Sequence, residues 1–388
     1  MTRHHVGLDY LKTFIIVMVV AHHSCLAYTW YARFDPVNYL LSTAPIVDVN
    51  RWVGFDLFIL FNDVFFMSLL FFISGLFVWS SIVRKGATSF LRGRAVKLGI
   101  PFILIVVFLM PLAFYPSYSM TGKGVSYWAY WWQGIATNQW PVGPLWFVWL
   151  LLLFDFGAAL LHKYKPDLLI SLSRRSAVAV KRPGLFYAVL IAASAIVYIP
   201  SLLIFGNERW ISLGGPLVFQ ASRFLHYAVY FFAGVVVGVH CFDRSLLGEE
   251  ELLAKRWKFW ILAALAIFLV VVFLQVALFQ RPSGLSLAAK QSIYGLAIVF
   301  SCSATAFGFL AFFLRFAKKQ FRIIDNLADN AYAIYLVHYV FVTWIQYSLL
   351  NVFLPALGKA CIVFTGTLLA SWLLCYALRR IPAVNRIV

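Results

Sequence analysis

Two ionisable side chains in the first apolar run, LDYLKTFIIVMVVAHHSC (residues 8–25), have types and a spacing suited to acid–base chemistry. Lys12 and His23 are eleven residues apart. At about 100° per residue that offset returns to within about 20° of its start, so a helix carries both on one stripe, separated by about 16 Å of rise. An elongated ligand lying along the stripe meets a cation first and an imidazole deeper in. Imidazole titrates near neutrality, which suits a general base acting on a hydroxyl. His22 is turned about 100° away and points elsewhere.

A general base needs a partner that fixes its tautomer. In the second apolar run Asp56 and Asp63 are seven residues apart and fall nearly on one face, and Asp63 reaches the depth expected of His23. Asp63 is therefore the candidate carboxylate behind the imidazole. Arg84, Lys85, Arg92, Arg94 and Lys97 follow within fourteen residues. Such clusters anchor inner membrane faces. The Arg92 and Arg94 pair also suits a polyanionic nucleotide, because guanidinium matches phosphate in bidentate fashion.

The stretch GVSYWAYWWQGIATNQWPVGPLW holds Trp128, Trp131, Trp132, Trp140 and Trp146. An interfacial belt accounts for most of these indoles. For Trp140 the sharper expectation is stacking on an acceptor such as a sugar, with Asn138 supplying hydrogen bonds. His338, within NAYAIYLVHYVF, is the remaining histidine expected to face a cavity. The five cysteines have no CxxC or metal-ligand spacing, so neither a metal nor a bound cofactor is expected.

These residues need a membrane to position them. The chain is 63% hydrophobic and 12% charged, with a mean hydropathy of +0.86, values that belong to an all-α polytopic membrane protein. Ten runs are long enough to cross a hydrocarbon core of ~30 Å, at about 10–30, 53–80, 97–115, 142–161, 184–204, 217–240, 257–279, 290–314, 330–350 and 359–379. With both termini cytoplasmic, 24 of the 32 Lys and Arg fall on inner segments, Arg3 among them, and eight on outer ones. That asymmetry supports an even number of crossings. The net charge of +18 then reflects topology and contact with anionic lipid rather than nucleic-acid binding. Residues 1–388 are read as a single transmembrane domain. The motif GVVVG at 234–238 is a small-xxx-small helix contact.

Taken together, LDYLKTFIIVMVVAHHS, LFFISGLFV, SFLRGRAVKLGIPF, PLWFVWLLLLF, YFFAGVVVG and NAYAIYLVHYVF resemble, in order, the acyltransferase 3 family of integral-membrane acyltransferases. The resemblance implies transfer of an acyl group from cytoplasmic acyl-CoA, as co-substrate, to a glycan or glycolipid hydroxyl beyond the membrane, with a bacterial plasma membrane as the setting. It carries the family's basic residue and histidine onto Lys12 and His23, and its Arg-x-Arg element onto Arg92 and Arg94. Lys12 departs from the usual arginine, and Ser68 stands where many relatives have aspartate. On the residues alone, a proton-coupled transporter using His23, Asp63 and His338 is the alternative.

Overall fold

The computed structural model describes residues 6–239, 247, 252–282 and 284–387; Arg3, His240 and Cys241 lie outside them. The chain is an all-α membrane protein. Its helices of eight residues or more are, among the described residues, α1 (Val6–Leu26), α2 (Val53–Leu76), α3 (Val78–Lys85), α4 (Ala87–Ser119), α5 (Tyr127–Ala136), α6 (Trp146–Tyr164), α7 (Pro166–Lys181), α8 (Pro183–Phe205), α9 (Phe224–Gly238), α10 (Trp257–Gln280), α11 (Leu287–Phe316), α12 (Arg322–Ser348) and α13 (Ala356–Leu378). Among the described residues, eight spans are long and apolar enough to cross a membrane: α1, α2 running on into α3, α4, α6, α8, α10, α11 and α13.

The two other expected spans overlap helices, 217–240 only from Phe224 onward, since Val218–Gln220 form a strand. Helix α9 has only 15 residues. Helix α12 has 27 but buries Asn330, His338, Thr343 and Gln346 along its length, which lowers its mean hydropathy. Polar side chains inside a span are costly unless another helix meets them, and α12 packs against α1, α4 and α13. Helix ends are called inner and outer after the charge asymmetry. Two outer elements were not expected from the sequence: α5, formed by the indole-rich stretch, and a hairpin of β1 (Trp210–Ser212) and β2 (Val218–Gln220).

Lipid offers apolar surface as readily as a neighbouring helix does, so close backbone packing must supply the specificity. At the α2–α9 contact a Cβ added to Gly75, Gly234 or Gly238 would lie 2.1 Å from the carbonyl oxygen of Phe231, Phe72 or Leu76 respectively. No side chain fits there, and GVVVG is the packing seam its spacing suggested.

Helix α4 contains Pro101, Pro111 and Pro116. Each lacks the N–H that would reach the carbonyl four residues earlier, namely Lys97, Val107 and Leu112. Two π-helical turns, Ala95–Gly99 and Ile105–Leu109, precede the first two prolines. Side chains from other helices donate to all three carbonyls: the Tyr332 hydroxyl to Lys97 at 2.9 Å, the Trp131 indole to Val107 at 2.8 Å and the Trp344 indole to Leu112 at 2.9 Å. The freed backbone groups are thus satisfied from α12 and α5, as a membrane interior requires. Trp131 is consequently a structural donor rather than only a belt residue. Trp131→Phe is expected to cost about 1–2 kcal/mol, and Pro111→Ala in the same chain to recover part of it by restoring a backbone donor. Thermal unfolding in detergent measures both.

Candidate active site

His23 lies in the last turn of α1, on the side that faces α12. Its ring centroid is 5.4 Å from that of His338 and 5.0 Å from that of Tyr339. The Gln346 amide, one turn beyond Thr343 on α12, donates to the backbone carbonyl of His23 at 2.9 Å and reaches that of Ser24 at 3.3 Å. These are carbonyls that a helix end leaves without intrahelical donors. Gln346 therefore fixes where α1 ends while leaving the His23 imidazole uncommitted.

On α12, His338 is fully buried and its Nδ1 is 2.6 Å from the Tyr335 carbonyl oxygen. A carbonyl only accepts, so Nδ1 carries the proton and Nε2 the lone pair. Tyr335 in turn donates its hydroxyl to the Pro144 carbonyl, which bolts this part of α12 to the turn ahead of α6. Both His338 Nε2 and His23 Nδ1 are buried without a hydrogen-bond partner among the described residues. His23 as a whole remains partly exposed. His23 is thus the less buried of the two, and His338 is fully buried beside it.

The expected pairing of Asp63 with His23 is not what the structure brings together. The ionisable neighbours of His23 are His22 and His338, whereas Asp63 acts on His22 and Arg223. Helix rotation gives the reason. His22, about 100° from His23, is the histidine facing α2, where its ring stacks on Phe66 at 5.1 Å. Asp63 and Phe66 are three residues apart and share that face. Asp63 lines a cleft with Ser68, Tyr198, Arg223, His226 and Tyr227, and Arg223 donates to its backbone carbonyl at 2.9 Å.

At the inner end, Lys12 keeps the stripe it shares with His23 on the regular α1. Its ammonium lies 2.7 Å from Asp9 and 5.4 Å from the Phe77 ring centroid. The two arginines diverge. Arg92 is exposed, while Arg94 Nε lies 2.9 Å from Asp155 Oδ2, a carboxylate with no exposed surface. Asp155 was legible in principle, because an acidic residue inside WFVWLLLLFDFG requires a partner.

At the outer end, the Trp140 indole donates to Asn138 Oδ1 at 2.6 Å, so the two expected acceptor residues hold each other. Asn138 adopts φ 55°, a left-handed conformation that asparagine tolerates. Trp140 lines a cleft with Tyr39, Tyr130, Trp131, Gln139 and Pro141. The Tyr39 hydroxyl donates to that of Tyr130 at 3.2 Å. Burial pushes both phenols above their ordinary range, so they stay protonated and able to donate. From this cleft a run of rings leads inward: Tyr39 to Phe114 at 6.4 Å, Phe114 to Tyr339 at 5.7 Å, and Tyr339 to His23.

Among the described residues no group of three His, Cys, Asp or Glu is arranged to hold a metal. The arrangement places an imidazole with an unpartnered nitrogen at one end of a packed run of rings that begins at the outer cleft, and a lysine on the same helix toward the inner end. No curated protein and no solved structure matches the chain. A family model described as an acyltransferase domain matches residues 5–376. The chain belongs to that acyltransferase 3 family and is a membrane acyltransferase.

Proposed function

We propose that the protein moves an acyl group from cytoplasmic acyl-CoA to a hydroxyl of a glycan or glycolipid on the outer side of a bacterial plasma membrane, with His23 as general base. The observation that carries this reading is the partly exposed His23 imidazole at the inner end of the aromatic run. The acceptor approaches past Trp140 and Asn138, and the donor's phosphates rest near Arg92, with Lys12 at the entrance. His23 takes the acceptor proton as the oxygen attacks the thioester carbonyl. The C–S bond then breaks, and the thiolate recovers that proton as free CoA. Donor and acceptor occupy opposite compartments, so their reacting atoms must meet within the barrier. That accounts for a base placed within a span, toward its outer end.

Mass spectrometry of envelope glycans and glycolipids from cells with and without the chain tests the activity. A mass increment present only with the chain identifies the acyl group, and identical spectra overturn the reading. The arginines provide a second test. Arg92→Ala is expected to raise KM for acyl-CoA about 10- to 100-fold, the worth of a charge-assisted hydrogen bond, with the melting temperature unchanged. Arg94→Ala is expected to lower the melting temperature as well, because it leaves the Asp155 carboxylate buried and unpaired. If Arg92→Ala leaves donor KM unaltered, Arg92 is only an inner-face anchor.

A further inference from the structure

We infer that His338, rather than a carboxylate, sets the tautomer of His23. The inference rests on the proposed base role of His23 for its functional meaning, but its geometry stands without it. Two buried nitrogen atoms without partners, His23 Nδ1 and His338 Nε2, belong to rings whose centroids are 5.4 Å apart and whose planes are 32° apart. Two imidazoles at that separation can meet edge to edge through one hydrogen bond of about 3 Å. The final imidazole torsion is broad, so turning the His23 ring toward α12 requires no forbidden rotamer.

The direction of the bond follows from the far end of the chain. The Tyr335 carbonyl takes the proton on His338 Nδ1, which leaves His338 Nε2 able only to accept. His23 Nδ1 must then be the donor, and the lone pair of His23 falls on Nε2. The sequence runs from carbonyl to imidazole to imidazole, and it leaves His23 Nε2 as the basic nitrogen available to an acceptor hydroxyl. A burden usually placed on aspartate thus passes to a neutral group, which avoids burying a charge in the bilayer.

The amide and the carboxylate considered for this role are engaged elsewhere. The Gln346 amide binds backbone carbonyls, and Asp63 lies with His22 and Arg223. The His22 ring stands at 81° to His23 and stacks on Phe66. His338 is accordingly a positioning residue. It holds His23 for the proton transfer and does not itself take the acceptor proton.

The test is the 15N spectrum of histidine-labelled protein in nanodiscs, with His23 assigned through His23→Asn. The expected result is a protonated Nδ1 and an unprotonated Nε2 on His23 in the wild type. His338→Gln, whose side-chain oxygen can accept near the position of Nε2, should retain that tautomer, and His338→Met should lose it. In acyl transfer His338→Met should lower kcat about 10- to 100-fold with KM for the donor unchanged, and His338→Gln should recover most of the loss. A wild-type His23 protonated on Nε2, or one tautomer shared by all three proteins, overturns the inference even if a variant is unstable. Full activity of His23→Ala would instead overturn the base role and leave the tautomer result standing.

Discussion

His23→Ala is expected to lower acyl transfer by a factor of about 10² to 10⁴, the range that general-base catalysis contributes, while His22→Ala retains most of it. The two residues are adjacent, equally apolar in their sequence surroundings, and alike in chemistry. Only helix phase separates them. His23 meets Tyr339 and His338 on α12 and is partly exposed, whereas His22 stacks on Phe66 and is buried. Folding is not expected to confuse the comparison. Gln346 holds α1 to α12 through backbone carbonyls that persist in either variant. Acylated product in membranes, normalised to the amount of inserted protein, measures the difference. Equal losses in the two variants would return both histidines to a packing role, and full activity of His23→Ala would remove the base assignment altogether.

Much of this asymmetry is legible in the amino-acid sequence. The eleven-residue offset between Lys12 and His23 needs only helix geometry, and eight of the ten apolar runs coincide with helices long and apolar enough to satisfy their backbone inside lipid, while the runs at 217–240 and 330–350 overlap a shorter and a more polar helix. The packing glycines at 234 and 238 are legible for the same reason. The partner of His23 is not. Pairing Asp63 with it assumes that similar depth implies contact, yet two helices bring only one face of each together, and α1 presents His22 to α2. The correct neighbour, His338, lies 315 residues further along the chain. Its local signal, Tyr335, His338 and Tyr339 at helical spacing on one face of α12, says that the face is polar but not which helix it meets. The same limit applies to Arg94 and Asp155, and to Trp131, whose role depends on a carbonyl freed by Pro111.

Lys359→Met is expected to cost about 3–5 kcal/mol of stability, the loss incurred when one member of a buried ion pair is removed. Lys359, in the first turn of α13, and Asp48, in the outer loop between α1 and α2, are both almost wholly buried. The ammonium lies 2.7 Å from Asp48 Oδ2 and 3.4 Å from the Leu350 carbonyl. Asp48 Oδ1 accepts from the Asn50 backbone at 2.8 Å, and the Asp48 backbone donates to Ala27 at 3.0 Å. Removing the lysine strands a buried carboxylate without its charged partner. Adding Asp48→Asn should therefore recover part of the loss, since an amide is cheaper to bury than an unpaired charge, whereas two independent packing defects would add. Melting temperature in detergent decides between these outcomes, and a double variant no more stable than Lys359→Met would show that the pair is only packing. The consequence reaches the outer cleft. The same loop carries Tyr39, whose ring starts the aromatic run toward His23, so loosening the loop should disturb the outer cleft before it disturbs His23 itself.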